Sequence, residues 1–191
     1  MNDLPEHLGG HAGKTHLFPV ALDYLIETFD IKTMIDVGCG PAGMVELARE
    51  RGLDAIGIDG DWTVERNIEV IIHDFTKGPY EIEPRDLAWS VEFLEHVYEE
   101  YMDNYFSIFQ QCKYVICTAA LPGHEGHHHV NCKPHEYWVD KFAHYGFAYD
   151  EKITSVLRSL PKDVSGKNKK NWIAQTGKFF INEKSLYNTR D

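Results

Sequence analysis

With 191 residues, 43% of them hydrophobic, the chain has material for one domain with a sizeable core. Its 30 acidic side chains against 19 basic ones leave a net charge of -11, which argues against DNA or RNA as a partner, since phosphate backbones are held by clustered Lys and Arg. No apolar run approaches the ~20 residues of a membrane span, and residues 1–14, polar and rich in Gly and His, lack the apolar core of a signal peptide, so a soluble, cytoplasmic protein is expected.

Residues 1–15 carry Gly9, Gly10 and Gly13 and little apolar material, and read as a loose arm ahead of a single domain. Phe18, Ala21, Leu22, Leu25, Ile26 and Phe29 then fall at helical spacing, with Pro19 suited to the first turn. An apolar run at 33–37 predicts the first strand. A helix follows from about residue 41 to Gly52, with Met44, Leu47 and Ala48 as its buried stripe. Further strands are predicted at 55–58, 68–72, 86–90 and 114–118, with a loop at 76–79 and a turn at 92–96. A helix is expected over 98–111, with Tyr98, Tyr101, Met102, Tyr105 and Phe109 on one face. After a loop at 122–135 dense in Gly and His comes a helix at 136–145, closed by Gly146. Residues 147–149 and Ile153 suggest a sixth strand, 154–160 a short helical piece, and 179–181 the last strand. Residues 162–170, with four lysines around Gly166, read as a solvated loop. Strands alternating with helices predict one layered α/β domain on a mostly parallel sheet. Cys39, Cys112, Cys117 and Cys132 form no C-x-x-C pair and are expected as free thiols.

The chemistry concentrates first at Gly38, Gly40 and Gly43, which spell G-x-G-x-x-G between the first strand and its helix. Asp59, 19 positions after Gly40, ends the second strand, where a carboxylate can accept both hydroxyls of an adenosine ribose. Neither feature separates a dinucleotide from S-adenosylmethionine (SAM). Asp36, two residues before Gly38, does so better. A pyrophosphate here would be repelled by the carboxylate, whereas the sulfonium and amino group of SAM are cations. The SAM carboxylate would take backbone N–H groups of the loop and helix start.

Together these residues resemble a known family. Asp36-Val37-Gly38-Cys39-Gly40-Pro41-Ala42-Gly43 is similar to motif I of the class I SAM-dependent methyltransferases. Gly57-Ile58-Asp59 resembles their second motif, His73-Asp74-Phe75 their third, and the stretch from Asp86 to Leu94-Glu95-His96 their fourth, across about residues 16–118. The resemblance implies a Rossmann-like three-layer α/β/α sandwich, its seven-stranded, mostly parallel sheet ending in an antiparallel strand. It also implies SAM as cofactor, S-adenosylhomocysteine (SAH) as product, and site residues. Gly38, Cys39 and Gly40 would run under the methionine part. Asp59 would bind the ribose, and Gly60, Asp61, Asp74 and Phe75 would border the adenine. Glu92 would lie near the sulfonium and the acceptor entrance.

Methyl transfer from a sulfonium needs alignment more than acid–base help, and a general base only where the acceptor must lose a proton early. His96 and His129 are the base candidates, with His16 a weaker third. A metal at His124, His127, His128, His129, Cys132 and His135 is not expected, because their spacing matches no closed zinc pattern. Tyr137, Trp138, Phe142, Tyr145, Phe147 and Tyr149 fit a core stripe or the lining of an acceptor pocket. Ser90-Val91-Glu92-Phe93 lacks the prolines of the N/D-P-P-Y/F segment of DNA amino-methyltransferases, and no Pro-Cys pair suggests C5-cytosine chemistry. Family analogy favours an O or N atom of a small-molecule acceptor. The rival readings are an NAD(P)-binding oxidoreductase and a SAM-fold protein that binds a partner without catalysis. Oligomeric state is open.

Overall fold

The computed structural model describes residues 3–10, 13, 15–163 and 170–187. Seven strands form one sheet: β1 (Thr33–Val37), β2 (Asp54–Asp59), β3 (Ile71–Ile72), β4 (Arg85–Ser90), β5 (Cys112–Cys117), β6 (Phe147–Tyr149) and β7 (Lys178–Asn182). Their order is β3-β2-β1-β4-β5-β7-β6, and β7 alone runs antiparallel to its neighbours.

The layering follows from the alternation of side chains along each strand. Met34, Leu87, Trp89, Ile116 and Phe179 point to one face, where they meet α1 (Pro19–Phe29), α2 (Gly43–Glu50), α5 (Glu151–Ser159) and α6 (Trp172–Thr176). Ile35, Val37, Ala88, Val115, Cys117 and Phe180 point to the other, against α3 (Met102–Phe109) and α4 (His135–His144). A seventh helix, α7, is Glu183–Tyr187. The expected three-layer α/β/α sandwich with an antiparallel last strand is what the chain forms. No helix among the described residues is long and apolar enough to cross a membrane.

The order reverses between β1 and β4, the switch point where open parallel sheets hold ligands beyond their strand ends. The β1–β4 ladder stops at Asp36↔Trp89. Beyond it the Ser90 hydroxyl donates to the Val37 carbonyl at 3.1 Å and ties the two strand ends.

Several elements differ from expectation. The third strand shrinks to Ile71–Ile72, since Ile68 and Val70 pack on the first core without joining the ladder at the sheet edge. Ile153 is helical: the Asp150 carboxylate caps α5 by accepting its N–H at 2.9 Å. The helix expected over 98–111 opens as a 3-10 turn, Glu99–Tyr101, and Tyr98 lies outside it and is exposed. Helix α6 was not anticipated. Lys162 is buried, its Nζ over the Phe18 ring, and residues 164–169 of the supposed lysine loop lie outside the described ones. All six aromatics of 137–149 join the second core and none lines a cavity at the switch point.

Candidate active site

A cavity of about 590 Å³ opens at the switch point. Among the described residues its lining includes the carboxylates of Asp36, Asp59, Asp74 and Glu92 against a single lysine, Lys170. Asp36 lies at the cavity floor, 4% exposed. Burial, and secondarily Asp59, push its carboxyl up to about 8. A cation placed beside it would relieve both effects.

The glycine loop above Asp36 is fixed by its own hydrogen bonds. The N–H groups of Gly38 and Cys39 donate to the Ile58 carbonyl at 2.9 and 3.2 Å, and that of Gly40 to Asp59 Oδ2 at 2.8 Å. Ala42 donates to the Cys39 carbonyl at 2.8 Å and Gly43 to Thr15 Oγ1 at 3.1 Å. Gly38 has φ +78, and a Cβ there would come within 2.5 Å of the Phe93 ring, so only glycine fits. Asp59 Oδ1 accepts the Asp61 N–H at 2.8 Å and faces Arg66 at 3.4 Å. Arg66 also holds the Gly40 carbonyl at 2.7 Å, so it locks the loop from behind. Cys39 lines the floor as a buried thiol whose pKa is raised by burial and by Asp36 and Asp59, which makes it a packing group and not a nucleophile.

At the far end, Asp74 caps a 3-10 turn (Phe75–Lys77) by accepting the Thr76 N–H at 2.9 Å. Its other oxygen meets His7 Nε2 at 3.0 Å. Burial pushes the Asp74 carboxyl up, but the Thr76 and His7 hydrogen bonds outweigh it and hold the group below its usual range. Phe75 is buried beside it and lines the cavity. Gly60 faces Leu8, whose methyl would lie 2.5 Å from a Cβ there. Asp61 is buried off the lining, with Oδ1 on the Thr63 N–H and hydroxyl at 2.8 and 2.6 Å.

The third side is built by the loops after β4 and β5. Glu92 adopts φ +57, and Thr118 holds it reciprocally: the Glu92 N–H donates to Oγ1 and the Thr118 hydroxyl to Oε1, both at 2.8 Å. Burial raises the Glu92 carboxyl, against the Thr118 hydrogen bond and the nearby His129 and His124. Glu95 is fully buried, and burial together with Glu92 pushes it up to about 8. Burial and His129 push the His96 imidazole down to about 4. The rings of His96 and His129 meet edge to face at 4.9 Å. Glu92 and His129 also border a second cavity of about 470 Å³.

No protein-family model and no curated protein matches the sequence. Solved structures do. The methyltransferase domain of bacterial CtHen1 aligns with a TM-score of 0.56 at 14% identity, over 85% of this chain and 95% of that one. A putative methyltransferase of Haloferax volcanii, solved with the Trm112 methyltransferase activator, aligns at 0.57 and 14%, over 85% and 88%. The plantazolicin methyltransferase BpumL, in complex with SAH, aligns at 0.56 and 13%, over 86% and 82%. The chain has the class I SAM-dependent methyltransferase fold.

Within that methyltransferase fold, Asp36, Gly38, Cys39, Gly40, Asp59, Gly60, Asp74, Phe75, Glu92 and His96 share the large cavity. Asp61 stands apart, and His129 borders the second cavity. The N–H groups from Gly38 to Gly43, among those expected to receive a ligand carboxylate, are already paired within the protein. The arm is packed in its described residues: His7, Leu8, Gly9 and Gly10 line the cavity, and the Leu8 carbonyl meets His127 Nε2 at 3.0 Å. Nothing in the arm's composition announces this, because its partners lie far along the chain. Sequence reasoning also missed Trp172, which lines the cavity with a buried Nε1 that has no partner among the described residues. His16 sits nearby, its Nδ1 3.2 Å from Lys162 Nζ.

Proposed function

We propose that this protein is a SAM-dependent methyltransferase acting on an O or N atom of a small-molecule acceptor. The observation that carries the reading is the buried Asp36 under a glycine loop whose N–H groups are paired, in a cavity whose described lining holds four carboxylates and one lysine. Such a cavity suits an adenosine with a cationic side chain, which favours the ionised form of Asp36, and its glycine loop offers a pyrophosphate no free N–H. SAH bound in the BpumL structure supports the same cofactor class.

In this reading Asp59 accepts the ribose hydroxyls with the lone pairs left beyond Gly40 and Asp61, since a carboxylate offers about four. Gly60, Asp74 and Phe75 border the adenine. Asp36 and the Gly38–Gly40 backbone face the methionine amino group. With the loop N–H groups paired, the methionine carboxylate falls to the basic side of the cavity, where Trp172 Nε1 and Lys170 lie. Bound SAM supplies an electrophilic methyl: the acceptor's lone pair forms the new bond as the C–S pair returns to sulfur. The protein aligns acceptor and methyl and excludes water.

Isothermal calorimetry with SAM, SAH and NADH tests this. Binding of SAM and SAH without NADH is the expected result, and NADH binding alone would establish the oxidoreductase alternative. Tight SAH binding without turnover across an acceptor panel would identify a non-catalytic member.

A further inference from the structure

The loops after β4 and β5 bring Glu95, His96 and His129 together, one donor atom from each lying within 4.8 Å of the others. Unpartnered atoms mark this cluster out from an ordinary hydrogen-bonded one. Glu95 is 0% exposed; its Oε1 accepts the Ala120 N–H at 3.1 Å, while Oε2 has no partner among the described residues. His96 Nδ1 is buried and equally unpartnered. A buried carboxylate oxygen and a buried imidazole nitrogen left unpaired are each unfavourable, and one cation between them satisfies both. His129 is oriented for the same role. Its Nδ1 meets the His124 carbonyl at 2.9 Å, which places the proton on Nδ1 and leaves the Nε2 lone pair to coordinate. Lys178, the buried ammonium near both glutamates, directs its Nζ to the Thr176 carbonyl at 2.8 Å.

We infer that Glu95, His96 and His129 form a three-ligand site for a divalent first-row transition cation at the junction of the two cavities. Two imidazoles and one carboxylate suit Mn²⁺, Co²⁺, Fe²⁺ or Zn²⁺ better than Mg²⁺ or Ca²⁺, which favour all-oxygen shells. Three protein ligands leave coordination positions open, the pattern of catalytic sites as opposed to closed structural ones. His96 faces the large cavity and His129 the second, so the open positions lie on the acceptor side, beside Glu92.

The cation site stands independently of the methyltransferase reading; its role rests on it. That role narrows the acceptor to a hydroxyl compound. An acceptor hydroxyl on the cation is acidified. Its proton passes to the Glu92 carboxylate, its oxygen pair forms the bond to the methyl carbon, and the C–S pair returns to sulfur. His96 and His129 then serve as ligands, not bases.

The test uses the full chain, stripped with a chelator and retitrated with Mn²⁺, followed by electron paramagnetic resonance, and with Co²⁺, followed by visible absorption. One equivalent of each is expected, with Co²⁺ bands of a nitrogen-ligated site of low coordination number. His129→Ala should weaken binding by at least about tenfold while circular dichroism and melting show an intact fold. His144→Ala, an exposed histidine outside the cluster, should change nothing. Glu95→Gln should match His129→Ala where it folds; where it does not, His129→Ala decides. Sub-stoichiometric binding, unchanged affinity in His129→Ala, or an equal loss in His144→Ala overturns the site. Intact Mn²⁺ binding with no affinity for SAM supports the site and overturns the methyltransferase reading.

Discussion

Two parts of the site region are built in opposite ways. The glycine-loop part comes from one contiguous βαβ unit, β1, α2 and β2, and its backbone donors are closed on the protein itself: Ile58, Asp59, Cys39 and Thr15 accept every N–H from Gly38 to Gly43. The other part is assembled from distant pieces. His7 reaches Asp74 across 67 positions and His127 reaches Leu8 across 119. It is also chemically unsaturated, with Glu95 Oε2, His96 Nδ1, His128 Nε2 and Trp172 Nε1 all buried and unpartnered among the described residues. The contrast teaches that the glycine loop is a finished shape and the rest of the site a set of polar groups brought together only by the fold.

The largest way to break that contrast is Gly38→Val. With φ +78 and Phe93 at 2.5 Å from the new Cβ, overpacking and left-handed strain should cost about 2–5 kcal/mol of stability in urea denaturation and abolish SAM binding. Wild-type affinity in this variant would show that the loop is soft. Next comes Asp59→Ala, expected to weaken SAM binding by about 1.5–3 kcal/mol by calorimetry, because the ribose acceptor and the anchor of Gly40 and Asp61 go together. An unchanged Kd in a folded variant would remove the ribose assignment.

Asp36 gives a sharper, pH-resolved test. Its folded pKa of about 8 stands above its ordinary 3.8, so ionising it opposes folding. That cost is absent below about 3.8, grows as pH rises, and is complete above about 8. Asp36→Asn should therefore melt no higher than wild type near pH 4 and increasingly higher toward pH 8. A bound cation lowers the Asp36 pKa, so SAM binding near pH 7 should release protons, seen as a dependence of calorimetric heat on buffer ionisation enthalpy, and Asp36→Asn should lose that release. Proton uptake would reverse the assignment. The smallest effect is expected on the arm: His7→Ala removes a partly buried pair with Asp74 and should change SAM affinity by about 0.2–1 kcal/mol. A larger change would mean that the arm itself holds the ligand.

How much of this the sequence discloses tracks the same division. Strand period, the glycine spacing and the strand-end carboxylates are short-range patterns; they locate β1, α2 and β2, and the residues they single out, Asp36, Gly38, Gly40 and Asp59, line one cavity. The pairing of loop N–H groups was not legible, since Thr15 meets Gly43 only once the arm has folded back. Nor was the meeting of Glu95, His96 and His129: metal patterns are read from spacing along one loop, and these three sit on two loops joined by neighbouring strands. Ile153 shows the lesser kind of miss, where a single cap at Asp150 turns an apolar residue into a helix position.

The closed glycine loop has a consequence for selectivity in a mixture. In the proposed reading any adenosine compound presents the same base and ribose to Asp59 and Phe75, so discrimination falls on what hangs from the 5′ position. With no donor left for an anion and a buried carboxyl beneath, the loop sorts such compounds by the sign of that tail. Adenosines with aminated 5′ chains should therefore displace SAM, while ATP and NAD should fail to compete even in large excess, a ranking a single competition series would read out.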